Sequence, residues 1–424
     1  MSYHPYAIAV IGGAAAGAEA AGIFSANGIL SVVFEQNARP YGKIEDGLPR
    51  WHRNLRQKEY RAIDSKLESE NVAFVPNTKI GGDLQLKELT NEWGFHAVVL
   101  ANGAWDDRPL PIEGADAFVG RGLIYQNPFI YWFNHFRERD YQGESYELFD
   151  GMAVVGGGLA SIDVVKAIQL ELTLRALRER GIEQDLVELE VKGIPKQLAK
   201  RGLSWPDLGI GSCTLFYRRR PEDMPLVELP DGANDKVREK VSNARQRVLK
   251  KAQEKYLFEV QPLCAPVGLI VEGDRLVGLR FARTRVENGR VQIGDESFEV
   301  RAPAIVSSIG SVPEPIAGIA RKGELYAFKD RDLGLLEGYP TLFSVGNVVT
   351  GKGNIVASRK HARSVGNHML EKYLQLGNEV KELEPLSADD SRKLLGRVRA
   401  QQQRVGFSGE YRAWIDAVTA TDAG

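Results

Sequence analysis

The run Val10-Ile11-Gly12-Gly13-Ala14-Ala15-Ala16-Gly17 decides how this chain is read. An apolar segment, 6–11, leads into it. An alanine-rich segment, 14–27, leads out of it, with Gly28 as its stop. Alanine is the best helix former and glycine suits a helix C-terminus, so the order is strand, glycine turn, helix. The next apolar run, Ser31-Val32-Val33-Phe34, ends on Glu35 and completes a βαβ unit of the length that binds dinucleotides. Such a turn lets a pyrophosphate meet unpaired backbone N–H groups at a helix N-terminus. An acid closing the second strand suits a free ribose hydroxyl.

The pattern returns at Val154-Val155-Gly156-Gly157-Gly158-Leu159-Ala160-Ser161, followed by a helical stretch from Leu159 to about residue 180. The next strand, Thr214-Leu215-Phe216-Tyr217, runs into Arg218-Arg219-Arg220. Guanidinium forks fit a 2′-phosphate, and no acid is expected to compete there. Two cradles of opposite charge read as FAD on the first and NADPH on the second. The plainer alternatives are a solvated surface acid at Glu35 and a solvated turn or salt-bridge cluster at the arginines. A dinucleotide βαβ unit spans about 30 residues, so 183–212 is expected to be an insertion.

The 424 residues suffice for two or three domains with separate cores. The chain is 43% hydrophobic and 26% charged with a formal net charge of −1, which gives no global pull toward nucleic acid or anionic membrane. Cys213 and Cys264 lie too far apart in sequence to form a C-x-x-C pair for dithiol chemistry or metal clamping. No apolar run approaches the ~18 residues of a membrane span. The stretch 7–24 lacks a basic lead-in and contains Glu19, so it reads as strand, turn and helix rather than a secretory signal. A cytoplasmic protein without an integral membrane segment is expected.

Further strands are expected at 73–76, 96–101, 304–310 and 339–347. Period-two segments at 267–271, 275–284 and 297–300, with turns at Gly273 and Asn288-Gly289, predict an antiparallel meander. The Pro-rich stretch 108–114 reads as a crossing between domains, 355–376 as a helix, and the residues after Asn378 as a polar helical tail. The expected fold is α/β. It has two Rossmann-like dinucleotide-binding domains, with the NADPH domain (116–318) inserted into the FAD domain (1–115 and 319–424), a small antiparallel meander and a C-terminal helical appendage.

With these residues in view, the chain resembles the adrenodoxin reductase family of NADPH–ferredoxin reductases, from Tyr6 to about Arg363. The loop Tyr41-Gly42-Lys43-Ile44-Glu45-Asp46-Gly47-Leu48-Pro49-Arg50-Trp51-His52 is similar to the family's flavin-covering loop. Tyr131-Trp132-Phe133-Asn134 matches an aromatic–Asn stretch, Arg218-Arg219 the paired arginines, Ser307-Ser308-Ile309-Gly310 a return strand, and Gly346 through Ala357, with Gly351-Lys352-Gly353-Asn354-Ile355, the segment behind the flavin. The resemblance implies FAD contacts at Gly12, Gly13, Ala14, Ala16, Gly17, Glu35, Gly42, Lys43, Leu48, Ile80, Ala101, Gly103, Gly346, Asn347, Gly353, Asn354 and Ile355. It implies NADPH contacts at Gly156, Gly157, Gly158, Leu159, Ala160, Arg218 and Arg219, and catalytic positions at His52, Asn347 and Glu228. Four positions depart from the family. Ala14 replaces a middle glycine, Leu159 a polar residue and Asn347 a Trp, while the acid at Glu228 is matched only loosely because 224–229 is shorter.

The resemblance further implies hydride transfer from NADPH to FAD and release of single electrons to a ferredoxin-type iron–sulfur protein. The absence of a cysteine pair closes the disulfide route out, and the absence of a cysteine cluster argues against an internal iron–sulfur site. The segment 236–255 holds eight Lys or Arg against Glu239 and Glu254. A charge run is usually a solvated helix face, but this one also suits docking of an acidic ferredoxin. Two other readings stay open: an oxidoreductase for a small organic substrate or quinone, with 183–212 shaping its pocket, and a non-catalytic flavoprotein subunit.

Overall fold

The computed structural model describes residues 3–139, 141–230, 232–351, 353–374 and 383–423. Among them, one sheet runs in the order Phe328–Asp330, Leu335–Leu336, Leu342–Ser344, Ala97–Leu100, Ala7–Ile11, Leu30–Phe34, Val72–Val75. Its last five strands are mutually parallel. Side chains alternate across a strand, and both faces of this sheet are covered. Ile8 and Val10 pack on one side with the helices Ala15–Ala26 and Ile355–His368, while Ala7, Ala9 and Ile11 pack on the other with Leu84, Leu89 and Tyr326.

A second sheet has the parallel order Leu123–Tyr125, Ile305–Ser308, Ala153–Gly156, Thr214–Tyr217, Glu259–Pro262. One face buries Val154, Leu215 and Val306 against the helices Gln126–His135 and Leu159–Arg178. The other face buries Val155, Phe216 and Ile305 against the antiparallel meander Cys264–Glu272, Arg275–Glu287, Arg290–Arg301. Phe216 stacks on Phe281 at 4.4 Å, so the meander roofs this sheet rather than standing alone. Its third strand is longer than 297–300 because 290–296 is mostly polar and exposed, which hides the period-two signal.

The crossing between the sheets is a two-stranded antiparallel ribbon, Asp106–Asp107 against Ser311–Val312, immediately before the Pro-rich stretch. The insertion 183–212 carries two short helices, Leu186–Lys192 and Ile194–Ala199. The C-terminal appendage is a helix pair, Ala388–Arg404 and Tyr411–Ala423. Lys352, the expected helix end at 376 and the expected tail start at Asn378 lie outside the described residues.

Candidate functional site

The first glycine turn is shaped by contact. Gly12 has φ +98°, and a Cβ there would press Ala101 O at 2.7 Å. A Cβ on Gly17 would collide with the Gly12 carbonyl, so glycine is what lets the helix Ala15–Ala26 sit against its strand. That helix starts at Ala14 without a side-chain cap, which leaves its first N–H groups for a ligand. The Ala14 end of the helix borders a cleft of about 360 Å³ lined by Gly12, Ala14, Glu35, Gly42, Thr78, Ile80, Ala101, Asn102 and Trp105 among others. The Glu35 carboxylate accepts from Gly13 N at 2.8 Å and Asn37 N at 3.0 Å. Burial raises it to about 7, and those backbone hydrogen bonds work against the rise. The Asn102 Oδ1 in the cleft wall is buried without a hydrogen-bond partner among the described residues. An uncapped helix end, an acid on the second strand and an orphan acceptor fit the nucleotide half of a dinucleotide.

The loop after this cradle is tied to the second unit. Asn134 Nδ2 donates to the carbonyls of Glu45, Asp46 and Leu48 at 2.9–3.1 Å. His135 bridges Asp46 at 3.2 Å and Glu138 at 2.8 Å. Burial works against its charge, but these acids prevail and raise its pKa. Glu171 holds Arg50 at 2.6 Å and Arg137 at 3.1 Å. Lys43 Nζ donates to Asn127 Oδ1 at 2.8 Å and Ser311 Oγ at 3.1 Å. Burial lowers this amine to about 8 and raises neighbouring Asp107 to about 6. Lys43 is therefore a strut between loop, ribbon and second unit.

In the second cradle, a Cβ on Gly156 would strike the Ser308 carbonyl, and one on Gly157 the Tyr217 ring, whereas Gly158 faces open space. The helix Leu159–Arg178 also begins without a side-chain cap, and Leu159 beside it is 55% exposed. Ala160 is exposed as well. Arg218 is exposed and has no ion-pair partner among the described residues. Arg219 donates to Gly289 O at 3.0 Å, fastening the meander hairpin. Arg220 corrects the expectation that no acid competes here: it pairs with Asp223 at 2.9 Å and Glu222 at 3.5 Å.

No family model matches the chain. It is 27% identical over 250 residues to the NADPH-Fe(3+) oxidoreductase subunit beta of Geobacter sulfurreducens, covering 52% of this chain and 35% of that protein. Over 382 residues it is 25% identical to the glutamate synthase [NADPH] small chain of Halomonas elongata, covering 86% and 67%. Over 250 residues it is 24% identical to the mitochondrial NADPH:adrenodoxin oxidoreductase of Arabidopsis thaliana, covering 55% and 49%. The chain thus spans about a third of the first relative's length. Its fold matches Mycobacterium tuberculosis FprA in complex with NADPH, with TM-score 0.70, 21% identity and coverage of 94% and 91%. The chain is therefore similar in sequence to several NADPH-dependent oxidoreductases, and it shares the FprA fold.

His52 stands at the start of the helix Arg53–Leu67 without a side-chain capping bond, near the buried Lys166. Lys166 Nζ lies 3.4 Å from Asp163, 2.9 Å from Glu190 and 4.6 Å from the Trp51 ring. Glu190 also accepts from Tyr256 OH at 2.6 Å. Burial lowers the His52 pKa, Asp163 opposing and Lys166 assisting, which favours the neutral imidazole. Burial raises Asp163 against the pull of Lys166 and His52. Sequence reasoning missed Asp163, Lys166 and Glu190. Asp163 and Lys166 follow the second glycine turn on one helix face, which is a usable signal. Glu190 comes from the insertion and had none.

Glu228 is exposed on the loop after Met224. Asn347 Oδ1 accepts from Gly353 N at 2.6 Å, closing the turn that carries Gly346 and Gly351. A Cβ on Gly346 would meet Ala16 Cβ at 2.6 Å, which brings this turn against the first cradle's helix. Asn354 caps the helix Ile355–His368 through Ala357 N at 2.9 Å, and Val356 beside it is 75% exposed. On the helix Asp235–Tyr256 the Lys236, Arg238, Lys240, Arg247, Lys250 and Lys251 side chains face solvent. Arg245 does not: it donates to Val227 O at 2.9 Å and Glu222 O at 3.3 Å, pinning the loop before the helix. Among the described residues no helix is long and apolar enough to cross a membrane, and no cluster of side chains could hold a metal.

Proposed function

We propose that the chain is an FAD-dependent NADPH oxidoreductase that passes single electrons to a ferredoxin-type iron–sulfur protein, and that it does so in the cytoplasm. One observation carries the proposal: two uncapped glycine-turn helices in one chain, the first answered by a buried Glu35 and the second by an exposed Arg218 without an ion-pair partner among the described residues. The division into 1–115 with 319–424 and 116–318 belongs to the same proposal, and the ribbon crossing supports it.

FAD, when bound, supplies hydride acceptance and one-electron release. Glu35 takes the adenosine ribose, and the N-terminus of Ala15–Ala26 takes the pyrophosphate. Asn134, His135 and Glu171 hold the 42–52 loop to the second unit, so cofactor and nicotinamide are positioned by one framework. Arg218 and Arg219 bind the 2′-phosphate. The helix Ile355–His368 contributes its positive end where negative charge develops on reduction. His52, whose neutral form burial favours, serves as a hydrogen-bonding group near Asp163. Asn347, Glu228 and the remaining residues assigned above are part of this reading. The exposed basic face of Asp235–Tyr256 supports docking of an acidic electron carrier.

Anaerobic mixing with NADPH, followed by ferredoxin, tests the proposal. Purified protein is expected to be yellow, to bleach with NADPH far faster than with NADH, and to regain colour on adding oxidised ferredoxin. A colourless protein that takes up no FAD would sink the reading. Two of the relatives are named as a subunit or small chain, which favours one second reading: the acceptor is a partner subunit.

A further inference from the structure

We propose that the C-terminal helix pair, Ala388–Arg404 and Tyr411–Ala423, is a brace that keeps the Glu35 carboxylate in its ribose-binding position, with Gln401, Tyr411 and Trp414 as positioning residues. This rests on the reading of the first cradle as an FAD site. The pair lies along Val72–Val75, the edge strand of the seven-stranded sheet, where Gln402 Nε2 donates to Phe74 O at 2.8 Å. Covering that edge needs apolar packing, and Leu394, Val398, Phe407 and Ile415 provide it. Three polar contacts go further and reach the segment around Glu35.

Buried Gln401 donates from Nε2 to Thr78 Oγ1 at 3.0 Å. Thr78 lines the cleft, and its N–H donates to the Glu35 carbonyl at 2.8 Å. Trp414 Nε1 donates to Ala38 O at 2.8 Å. The residue before Ala38 is Asn37, whose N–H holds Glu35 Oε1 at 3.0 Å. Tyr411 OH donates to Asp64 Oδ1 at 2.7 Å, and that oxygen also accepts from Tyr41 OH at 3.1 Å, one residue before Gly42 of the cleft wall. The main chain of Glu35 is therefore steadied through Thr78, and its carboxylate through Asn37. A buried carboxylate held by backbone N–H groups keeps its aim only while those amides stay in place. Fixing them in advance removes an ordering cost from binding.

The test uses the full chain with Gln401→Leu, Trp414→Phe and the double variant, all of which retain apolar packing. The first readout is hydrogen exchange at the Gly13 and Asn37 amides in the flavin-free protein. The second is FAD dissociation after dilution, followed by recovery of flavin fluorescence. Binding of 2′,5′-ADP at the second cradle serves as the control. The double variant is expected to exchange both amides faster and to lose FAD roughly five- to tenfold faster, the weight of one neutral hydrogen bond, with 2′,5′-ADP binding unchanged. Wild-type rates in both readouts overturn the brace. So does a lower melting temperature with faster exchange confined to 72–75, which would mean that the pair only covers the sheet edge. If the unmodified chain takes up no FAD, the proposed function fails by itself, and the exchange rates in flavin-free protein still decide the brace. If the double variant does not fold, Trp414→Phe alone is read in the same two assays.

Discussion

Replacing Arg218 by Ala is the sharpest probe of the second cradle. Arg218 is exposed at the end of Thr214–Tyr217, so its removal breaks no ion pair among the described residues. Its neighbours differ. Arg219 also holds the 288–289 turn through Gly289 O, and Arg220 is tied to Asp223 and Glu222. A hydrogen bond to a charged group contributes about 1.5–3 kcal/mol, so losing the Arg218 contact to a 2′-phosphate weakens binding about ten- to hundredfold. NADH has no such phosphate and should be nearly unaffected. The assay is kcat/KM for NADPH and NADH with ferricyanide as acceptor, backed by calorimetric binding of 2′,5′-ADP and 5′-AMP. Arg220→Ala is the internal control and should change the NADPH value less than about twofold, because its charge is already neutralised at the surface. Equal losses for NADPH and NADH, or a larger loss at Arg220 than at Arg218, would refute the reasoning.

Three further outcomes are expected. In the flavin-free protein, Glu35 binds its proton more tightly when folded, at about 7 against an ordinary 4.5. The stability it contributes is fully present below pH 4.5 and is lost as pH rises through about 7, a fall of up to ~3 kcal/mol at 1.36 kcal/mol per unit. Urea midpoints across that window should show it, Glu35→Gln should flatten it, and identical profiles for the two proteins would contradict it. Asn134→Ala leaves the Glu45, Asp46 and Leu48 carbonyls without their shared donor and should cost about 1–3 kcal/mol, with faster proteolysis in 42–52. An unshifted melting temperature counts against that role. Reversing Lys250 and Lys251 to Glu should raise the KM for ferredoxin at low salt, with the difference fading at high salt and ferricyanide turnover unchanged. A KM that does not move removes the docking surface.

Much of the architecture was legible from local rules. The two glycine turns, the acid at Glu35 and the arginines after Thr214–Tyr217 sit where strand and helix periodicity puts them, because a βαβ unit is short-range in sequence. The basic run 236–255 was legible for the same reason, since its charges are contiguous in sequence, and it lies on the helix Asp235–Tyr256. What tertiary structure decided was long-range. Asn134 stood out only as part of an aromatic stretch, and its three carbonyl partners lie more than eighty positions away. Arg220 looked equivalent to Arg218 until the turn folded Glu222 and Asp223 back onto it. Glu190 reaches Lys166 from an insertion without a motif, and Trp414 reaches Ala38 from the far end of the chain. Hydrophobic period and turn chemistry specify which elements form. The partner of a buried polar group is chosen only when packing brings distant segments together and withdraws the water that would otherwise satisfy it.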